Sequence, residues 1–177
     1  SAASDVYKRQ ISFSEIGAIS ERRVHYFMKG IGKQIPPFVT EDPGVQSGYM
    51  IAHVTASALA SENKTLSHPA SVDSLPTSGG QEDLVSMAPW SAFKLDKIYE
   101  NIVFSLAIEV IVAGAANNIG IVGLNPGKGT QPVLDLLNKN CDYVKGDRPL
   151  TSEIEKISGL INSGSIINAV SNYLILE

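Results

Sequence analysis

The stretch SHPASVDSLPTSGGQEDLVSM, residues 67–87, lies between two long apolar segments, and it decides how the chain folds because it separates them. Its two prolines fix the backbone angle φ at about −65° and prevent one continuous helix from forming. Gly79 and Gly80 can adopt backbone angles closed to other residues, which allows a tight turn just before Glu82. Ordered loops between rigid elements carry a large share of binding and catalytic residues. We therefore expect residues 67–87 to contain a functional site.

Long apolar segments lie on both sides of this loop. Residues 48–66 and residues 90–116 carry apolar or small side chains on almost every side, which is typical of helices that are buried all round. Pro89 predicts a kink, or a short turn before the second helix. Glu109 lies in the middle of that helix and argues against a membrane span, because a carboxylate at the bilayer centre costs ~2.5–3.5 kcal/mol on insertion scales.

The rest of the chain also shows helical spacing. Ser47 is predicted to cap the helix that follows it, since its hydroxyl can accept a hydrogen bond from a backbone N–H of the first turn. Ser152 and Glu155 form a capping-box pattern that predicts a helix start near Glu153. No alternation is long enough for a sheet. The predicted fold class is all-α, with long buried helices of a helical-bundle core followed by a small C-terminal helical region. The other predicted helices are residues 11–27, 132–137 and 166–176.

Composition limits the classes of partner. The chain has 177 residues, which fits one domain or a piece of a larger one. Its 44% hydrophobic and 18% charged residues favour surfaces that meet protein, and its net charge of −4 argues against nucleic acid. A single cysteine, Cys141, excludes an internal disulfide and gives no metal-ligand spacing. We expect no metal site, no nucleic-acid partner and a cytoplasmic location.

The first ten residues, SAASDVYKRQ, resemble the translated reading frame of a transposon adapter used to prepare sequencing libraries. We expect residues 1–10 to have no evolved structure, and they lack the apolar centre of a secretory signal. On this interpretation the gene was read from a truncated fragment. Residues 11–177 are then the natural portion, and its N-terminal part is missing.

Several segments carry a resemblance to a known family. They are GAISERR (17–23), EDPGVQSGYMIA (41–52), ALASENKTLSHPASVDSLPTSGGQEDLVSMAP (58–89) and DRPLTSEIE (147–155). In this order they resemble the C-terminal third of the histidine ammonia-lyases, within the aromatic amino acid lyase superfamily. The contiguous stretch around residues 67–87 is the most specific part of the resemblance.

The resemblance implies an enzyme that removes ammonia from L-histidine to give urocanate. The family uses no metal or diffusible coenzyme, and its electrophile is a methylidene-imidazolone formed from an internal Ala-Ser-Gly. This chain contains no Ala-Ser-Gly. The electrophile and the tyrosine thought to act as base would belong to the missing part, so the chain alone should be inactive. The resemblance also implies a homotetramer whose active sites combine residues from several subunits.

Glu82 matches the active-site glutamate of this family. Its carboxylate can accept a hydrogen bond from an imidazole N–H or pair with imidazolium. If Glu82 lies in the first turn of a helix, the helix dipole favours its ionised form, so we expect substrate binding first and proton transfer second. Gln81 could orient the substrate, but it is better explained as the capping partner of Ser78.

The remaining polar residues have simpler explanations. Asp83 fits a helix start, His68 a brace within the loop, and His53 a hydrogen-bonded histidine of a core or interface. The family commonly has other residues where this chain has Gly79-Gly80 and Leu84. A tyrosine or phenylalanine ammonia-lyase or aminomutase therefore stays open. So does a non-catalytic helical module for assembly, which the absence of Ala-Ser-Gly supports.

Overall fold

The computed structural model describes residues 2–120, 125–143 and 146–173, and these are almost entirely helices and their connections. No strand occurs within those ranges, so the all-α prediction is confirmed. The helices are α1 Ala2–Met28, α2 Met50–Leu66, α3 Ala88–Gly120, α4 Gln131–Asn140, α5 Thr151–Asn162 and α6 Ser165–Val170. Short 3-10 helices lie at Pro37–Val39, Ala70–Val72 and Ser78–Gly80.

Helix α3 is the centre of the fold, because it packs against α1, α2 and α5. Its Ile108 and Ile111 side chains are fully buried, and each stabilises the fold by about 1.5–3 kcal/mol relative to an exposed side chain. Helix α2 meets its neighbours through small buried residues such as Ala56, which allow a close approach. Helices α4, α5 and α6 contact one another and form the predicted small C-terminal region.

A buried layer of amides joins the three long helices. The Asn101 side chain on α3 donates to Glu62 Oε2 at 2.8 Å and to Asn63 Oδ1 at 3.0 Å, both on α2. Ser14 on α1 donates to the backbone carbonyl of Asn63 at 3.3 Å. Because buried polar groups must find partners, these bonds favour one register of the three helices over others.

Helix α1 includes nearly all of the first ten residues. It begins at Ala2 and continues without a break through residues 2–10. Gln10 is fully buried, and its side-chain amide donates to the backbone carbonyl of Leu66 at 3.4 Å. Extending an existing helix adds one hydrogen bond for each residue ordered, which favours helix here. The origin of residues 1–10 stays a prediction.

The turn before α2 is bound by a distant residue. The prediction that Ser47 caps this helix through its hydroxyl is wrong, because α2 begins at Met50 and its cap position makes no side-chain bond. Instead, the backbone N–H groups of Ser47 and Gly48 donate to the Asp147 carboxylate at 3.0 and 2.8 Å. These two hydrogen bonds lower the pKa of Asp147. Gly48 has φ of 54°, and a Cβ atom there would lie 2.4 Å from the Phe38 carbonyl oxygen.

Two other helix starts also differ from prediction. Helix α3 begins at Ala88 and has Pro89 in its first turn, where the missing N–H costs nothing, so Pro89 starts the helix and does not interrupt it. Residues 83–87, just before it, are not helical. Helix α5 begins at Thr151, and no side chain caps it, so the capping-box prediction is wrong. Gly164 does separate α5 from α6, with φ of 72°. Part of the predicted helix at 166–176 lies outside the described residues.

Helix α3 is long and apolar enough to cross a membrane by length and composition. However, 56% of its most apolar window is buried inside the chain, as in the core helix of a soluble protein. Its Glu109 also forms an ion pair with Arg23 on α1, with 3.2 Å between Arg23 Nη1 and Glu109 Oε1. The burial of this window and the ion pair of Glu109 both favour a helix within a protein bundle.

Candidate active site

The loop of residues 67–87 contains a closed turn between Thr77 and Glu82. The Thr77 N–H donates to the Glu82 carbonyl at 3.0 Å, and the Glu82 N–H donates to the Thr77 carbonyl at 3.4 Å. Between them, Ser78, Gly79 and Gly80 have φ of 54°, 66° and 89°. Glycine adopts positive φ without the steric cost that other residues meet. The Gly79-Gly80 pair therefore permits this turn.

The Glu82 side chain is held by the same turn. The Thr77 hydroxyl donates to Glu82 Oε2 at 2.9 Å. Glu82 is exposed in this chain and lies before α3, which begins at Ala88. The prediction that Glu82 lies in the first turn of a helix is therefore wrong, and the expected effect of a helix dipole does not apply to it.

The neighbours of Glu82 are exposed loop residues. Gln81 makes no capping bond with its side chain, so its predicted capping role is wrong; its backbone N–H donates to the Ser78 carbonyl at 3.4 Å. Asp83 is exposed and does not start a helix. His68 braces the loop through its backbone carbonyl, which accepts from Lys94 Nζ on α3 at 2.9 Å.

Large apolar side chains are exposed in this loop and at the start of α3. Leu75 and Leu84 lie in the loop, and Leu84 is 82% exposed. Trp90 and Phe93 pack edge to face, with ring centroids 5.8 Å apart, and are exposed as well. Exposed apolar side chains in such number are typical of a surface that meets other protein. The loop therefore resembles one wall of a site more than a complete cavity.

Two cavities lie in another part of the chain. One, of about 280 Å³, is lined by Tyr49, Tyr143 and Arg148, and the other, of about 340 Å³, is lined by Asp147 and its neighbours. Glu82 lines neither cavity. Among the residues that the structure describes, no three His, Cys, Asp or Glu side chains are placed to hold a metal ion.

An ion pair anchors α5 beside these cavities. Arg148 donates to both carboxylate oxygens of Glu153, at 3.1 and 3.0 Å, and to the Tyr49 hydroxyl at 3.3 Å. Burial opposes the charge, but the hydrogen bonds to Glu153 and Tyr49 raise the pKa of Arg148. The Asp142 N–H donates to Glu153 at 3.3 Å. These contacts hold α5 against the start of α2 and were not predicted from the sequence.

A second polar cluster joins α1 to α2. Glu21 is buried and accepts hydrogen bonds from Arg22, from Ser57 Oγ at 2.9 Å and from His53 Nε2, 2.9 Å away. Burial raises the pKa of Glu21, but the hydrogen bonds from Arg22, His53 and Ser57 outweigh it and lower the pKa to about 2. The prediction that His53 is a hydrogen-bonded histidine of the core or an interface is confirmed.

Comparison with known proteins identifies the family of this chain. Residues 1–139 match the family model described as aromatic amino acid lyase. The chain belongs to the aromatic amino acid lyase family. This confirms the resemblance found in the sequence, and the matched range includes residues 1–10.

Individual proteins and solved structures are also similar to this chain. The lyase chain is 53% identical over 124 residues to the histidine ammonia-lyase of Burkholderia mallei, an alignment that covers 70% of this chain and 24% of that protein. It resembles the structure of histidine ammonia-lyase from Trypanosoma cruzi with a TM-score of 0.91 and 35% identity, over 98% of this chain and 34% of that one. The tyrosine aminomutase from Streptomyces globisporus gives a TM-score of 0.88 and 26% identity, over 99% of this chain and 34% of that one. The chain thus spans about a quarter to a third of the length of these relatives.

Proposed function

We propose that this chain is the C-terminal portion of an enzyme that eliminates ammonia from L-histidine to give urocanate. The observation that carries the proposal is a carboxylate, Glu82, held on a closed turn within a chain that is 53% identical over 124 residues to a histidine ammonia-lyase. Its loop is joined to the long helices that form the core, which gives it a rigid support.

Glu82 is proposed to bind the imidazole of the substrate. A carboxylate accepts a hydrogen bond from an imidazole N–H, and such a bond to a charged group contributes about 1.5–3 kcal/mol. A phenyl ring offers no N–H or O–H donor, so Glu82 would favour histidine over phenylalanine. Gln81, next to it and exposed, has the weaker claim to touch substrate.

The electrophile of the family does not fit this chain. A methylidene-imidazolone requires an Ala-Ser-Gly sequence, and the 177 residues contain none. No step of the elimination is therefore assigned to this group. We propose that another part of the protein supplies it, and that this chain alone is inactive.

The complete enzyme is proposed to be a cytoplasmic homotetramer with composite active sites. Apolar side chains on α2, Ile51 and Val54, are exposed in the single chain although the sequence predicts burial all round. Phe104 in the middle of α3 is partly exposed in the same way. A neighbouring subunit would cover them, because large exposed apolar patches are unusual on a free chain.

The test is a chimaera in which this chain replaces the matching third of the Trypanosoma cruzi enzyme. Urocanate formation is followed by ultraviolet absorbance for Glu82→Ala and for a control, Glu155→Gln, which changes an exposed carboxylate on α5. We expect Glu82→Ala to lower kcat/KM by about 10–150-fold, the equivalent of the lost hydrogen bond, and the control to leave it unchanged. Near-normal turnover of Glu82→Ala would remove this residue from the site.

A lyase or aminomutase acting on tyrosine or phenylalanine is the second candidate. The similarity to the tyrosine aminomutase supports it, and a tyrosine hydroxyl could also donate to Glu82. Its lower identity, 26% against 35% for the Trypanosoma cruzi enzyme, favours histidine. The chimaera is offered all three amino acids. An ammonia-lyase gives a conjugated acid that absorbs in the ultraviolet, whereas an aminomutase gives a β-amino acid, which chromatography detects, so the two measurements decide between the candidates.

A non-catalytic assembly module is the third candidate, and it rests on the absent Ala-Ser-Gly. Genomic DNA upstream of the codon for Ile11 separates it from the enzyme. An in-frame Ala-Ser-Gly upstream supports the lyase, whereas a stop codon close by supports the module.

A further inference from the structure

We propose that Thr77 is a positioning residue for Glu82, and that it determines which carboxylate oxygen meets the substrate. This inference rests on the proposed role of Glu82. Its basis is the bond from the Thr77 hydroxyl to Glu82 Oε2 at 2.9 Å, made across the closed turn.

The turn fixes the two side chains relative to each other. Two backbone hydrogen bonds join Thr77 to Glu82, so the two residues face each other across the turn and their side chains lie within hydrogen-bond distance. The intervening Ser78, Gly79 and Gly80 all have positive φ. Residues with a Cβ atom adopt positive φ only with strain, whereas glycine adopts it freely. An exposed glutamate would otherwise sample many rotamers, and the hydroxyl selects among them.

The hydroxyl also makes the two carboxylate oxygens of Glu82 different, because it bonds only Oε2. A carboxylate can accept about four hydrogen bonds through its two oxygens, and the bond from Thr77 uses one acceptor site of Oε2. Within the part of the chain that the structure describes, no hydrogen bond reaches Oε1. Oε1 thus keeps both of its acceptor sites and is the more open oxygen for an N–H donor of the substrate. In this proposal Thr77 acts through Glu82 and not on the substrate itself.

This role predicts a specific kinetic change. Holding Glu82 in place for binding lowers KM without changing the chemical step, since an interaction equally strong in ground and transition states is uniform binding. Thr77→Val keeps the shape and backbone bonds but lacks the donor. In the chimaera we expect it to raise KM for histidine about tenfold, the effect of one hydrogen bond, with kcat within about twofold.

Rescue and coupling distinguish positioning from a structural role. Thr77→Ser retains the hydroxyl and should restore KM to within about twofold of the parent. Combining Thr77→Val with Glu82→Ala should give the kinetics of Glu82→Ala alone, because the hydroxyl then has nothing to position. If Thr77→Val fails to fold, Thr77→Ala takes its place under the same criteria, since this exposed position leaves no buried cavity.

The outcomes separate this inference from the proposed function. A large effect of Glu82→Ala with normal kinetics for Thr77→Val overturns the role of Thr77 and leaves the proposed function standing. Normal kinetics for Glu82→Ala overturns the proposed function itself. A lowered kcat in Thr77→Val that Thr77→Ser does not restore shows a structural role and also overturns the inference.

Discussion

Replacing Arg148 by Met should destabilise the chain by leaving a carboxylate without its partner. The Arg148 and Glu153 side chains are only 17% and 10% exposed, and two hydrogen bonds of 3.1 and 3.0 Å join them. Removing one partner of a buried ion pair costs about 3–5 kcal/mol. Glu153 keeps the bond from the Asp142 N–H and some solvent contact, so we expect a loss of about 2–3 kcal/mol. For a chain of this size that corresponds to roughly 4–12 °C in Tm.

Urea unfolding followed by circular dichroism measures this loss. Two protein concentrations are compared, because association would make the midpoint concentration-dependent. Lys97→Met is the matched control: the Lys97–Glu100 pair is exposed, with 3.5 Å between its charged atoms, and should be worth less than about 1 kcal/mol.

A double-mutant cycle tests the stated cause. In a Glu153→Gln background no negative charge is left behind, so Arg148→Met should cost only about 1 kcal/mol, the value of an ordinary hydrogen bond. The coupling free energy should therefore be about 1–2 kcal/mol. Equal costs of Arg148→Met in the two backgrounds would refute the reasoning, since the loss would then come from packing alone.

Two further predictions concern acid stability and helix packing. The pKa of Glu21 is lowered from 4.5 to about 2, so its contribution to stability is fully present above pH 4.5 and is lost as the pH falls toward 2. Solvent screens the interaction with the exposed Arg22 side chain. Glu21→Gln should therefore abolish about 1–2 kcal/mol of the acid-dependent unfolding free energy, measured in a pH series. Gly120→Ala would place a Cβ atom 2.2 Å from the Gln34 carbonyl oxygen, so we expect it to lower the unfolding free energy by about 1–3 kcal/mol in urea titration. Gly159→Ala, at an exposed position of α5, meets no atom within 4 Å and should instead raise the unfolding free energy by about 0.8–1 kcal/mol. The same sign for both glycines would contradict the packing argument.

The helical fold could be predicted because its signals are local. Continuous apolar side chains over residues 48–66 and 90–116 predicted the two long helices. The helix starts were harder, because capping signals compete with tertiary contacts. The predicted cap at Ser47 is absent, and the backbone just before α2 is bound instead by Asp147, which supplies two acceptor oxygens from a residue far along the chain. No local pattern can reveal such a partner.

The candidate site shows the same division. Glu82 was found through its family resemblance, and its presence on a loop followed from prolines and glycines. Thr77 was missed because its bond to Glu82 depends on the positive φ values of the turn between them. A threonine followed four residues later by Gln-Glu, with Gly-Gly between, was the available signal. The exposure of apolar side chains on α2 and α3 could not be predicted, because an apolar sequence predicts burial but does not show whether the same chain or another chain covers it.

The contact of Asp147 with the turn before α2 has a consequence for the order of events during synthesis. The Asp147 carboxylate is encoded 100 residues after the Ser47 amide that it binds. At ordinary translation speeds of about 5–20 residues per second, the ribosome needs roughly 5–20 s to cover that distance. During this interval the N–H groups of Ser47 and Gly48 have no bond to Asp147, so the turn before α2 gains its final contacts only after Asp147 is synthesised.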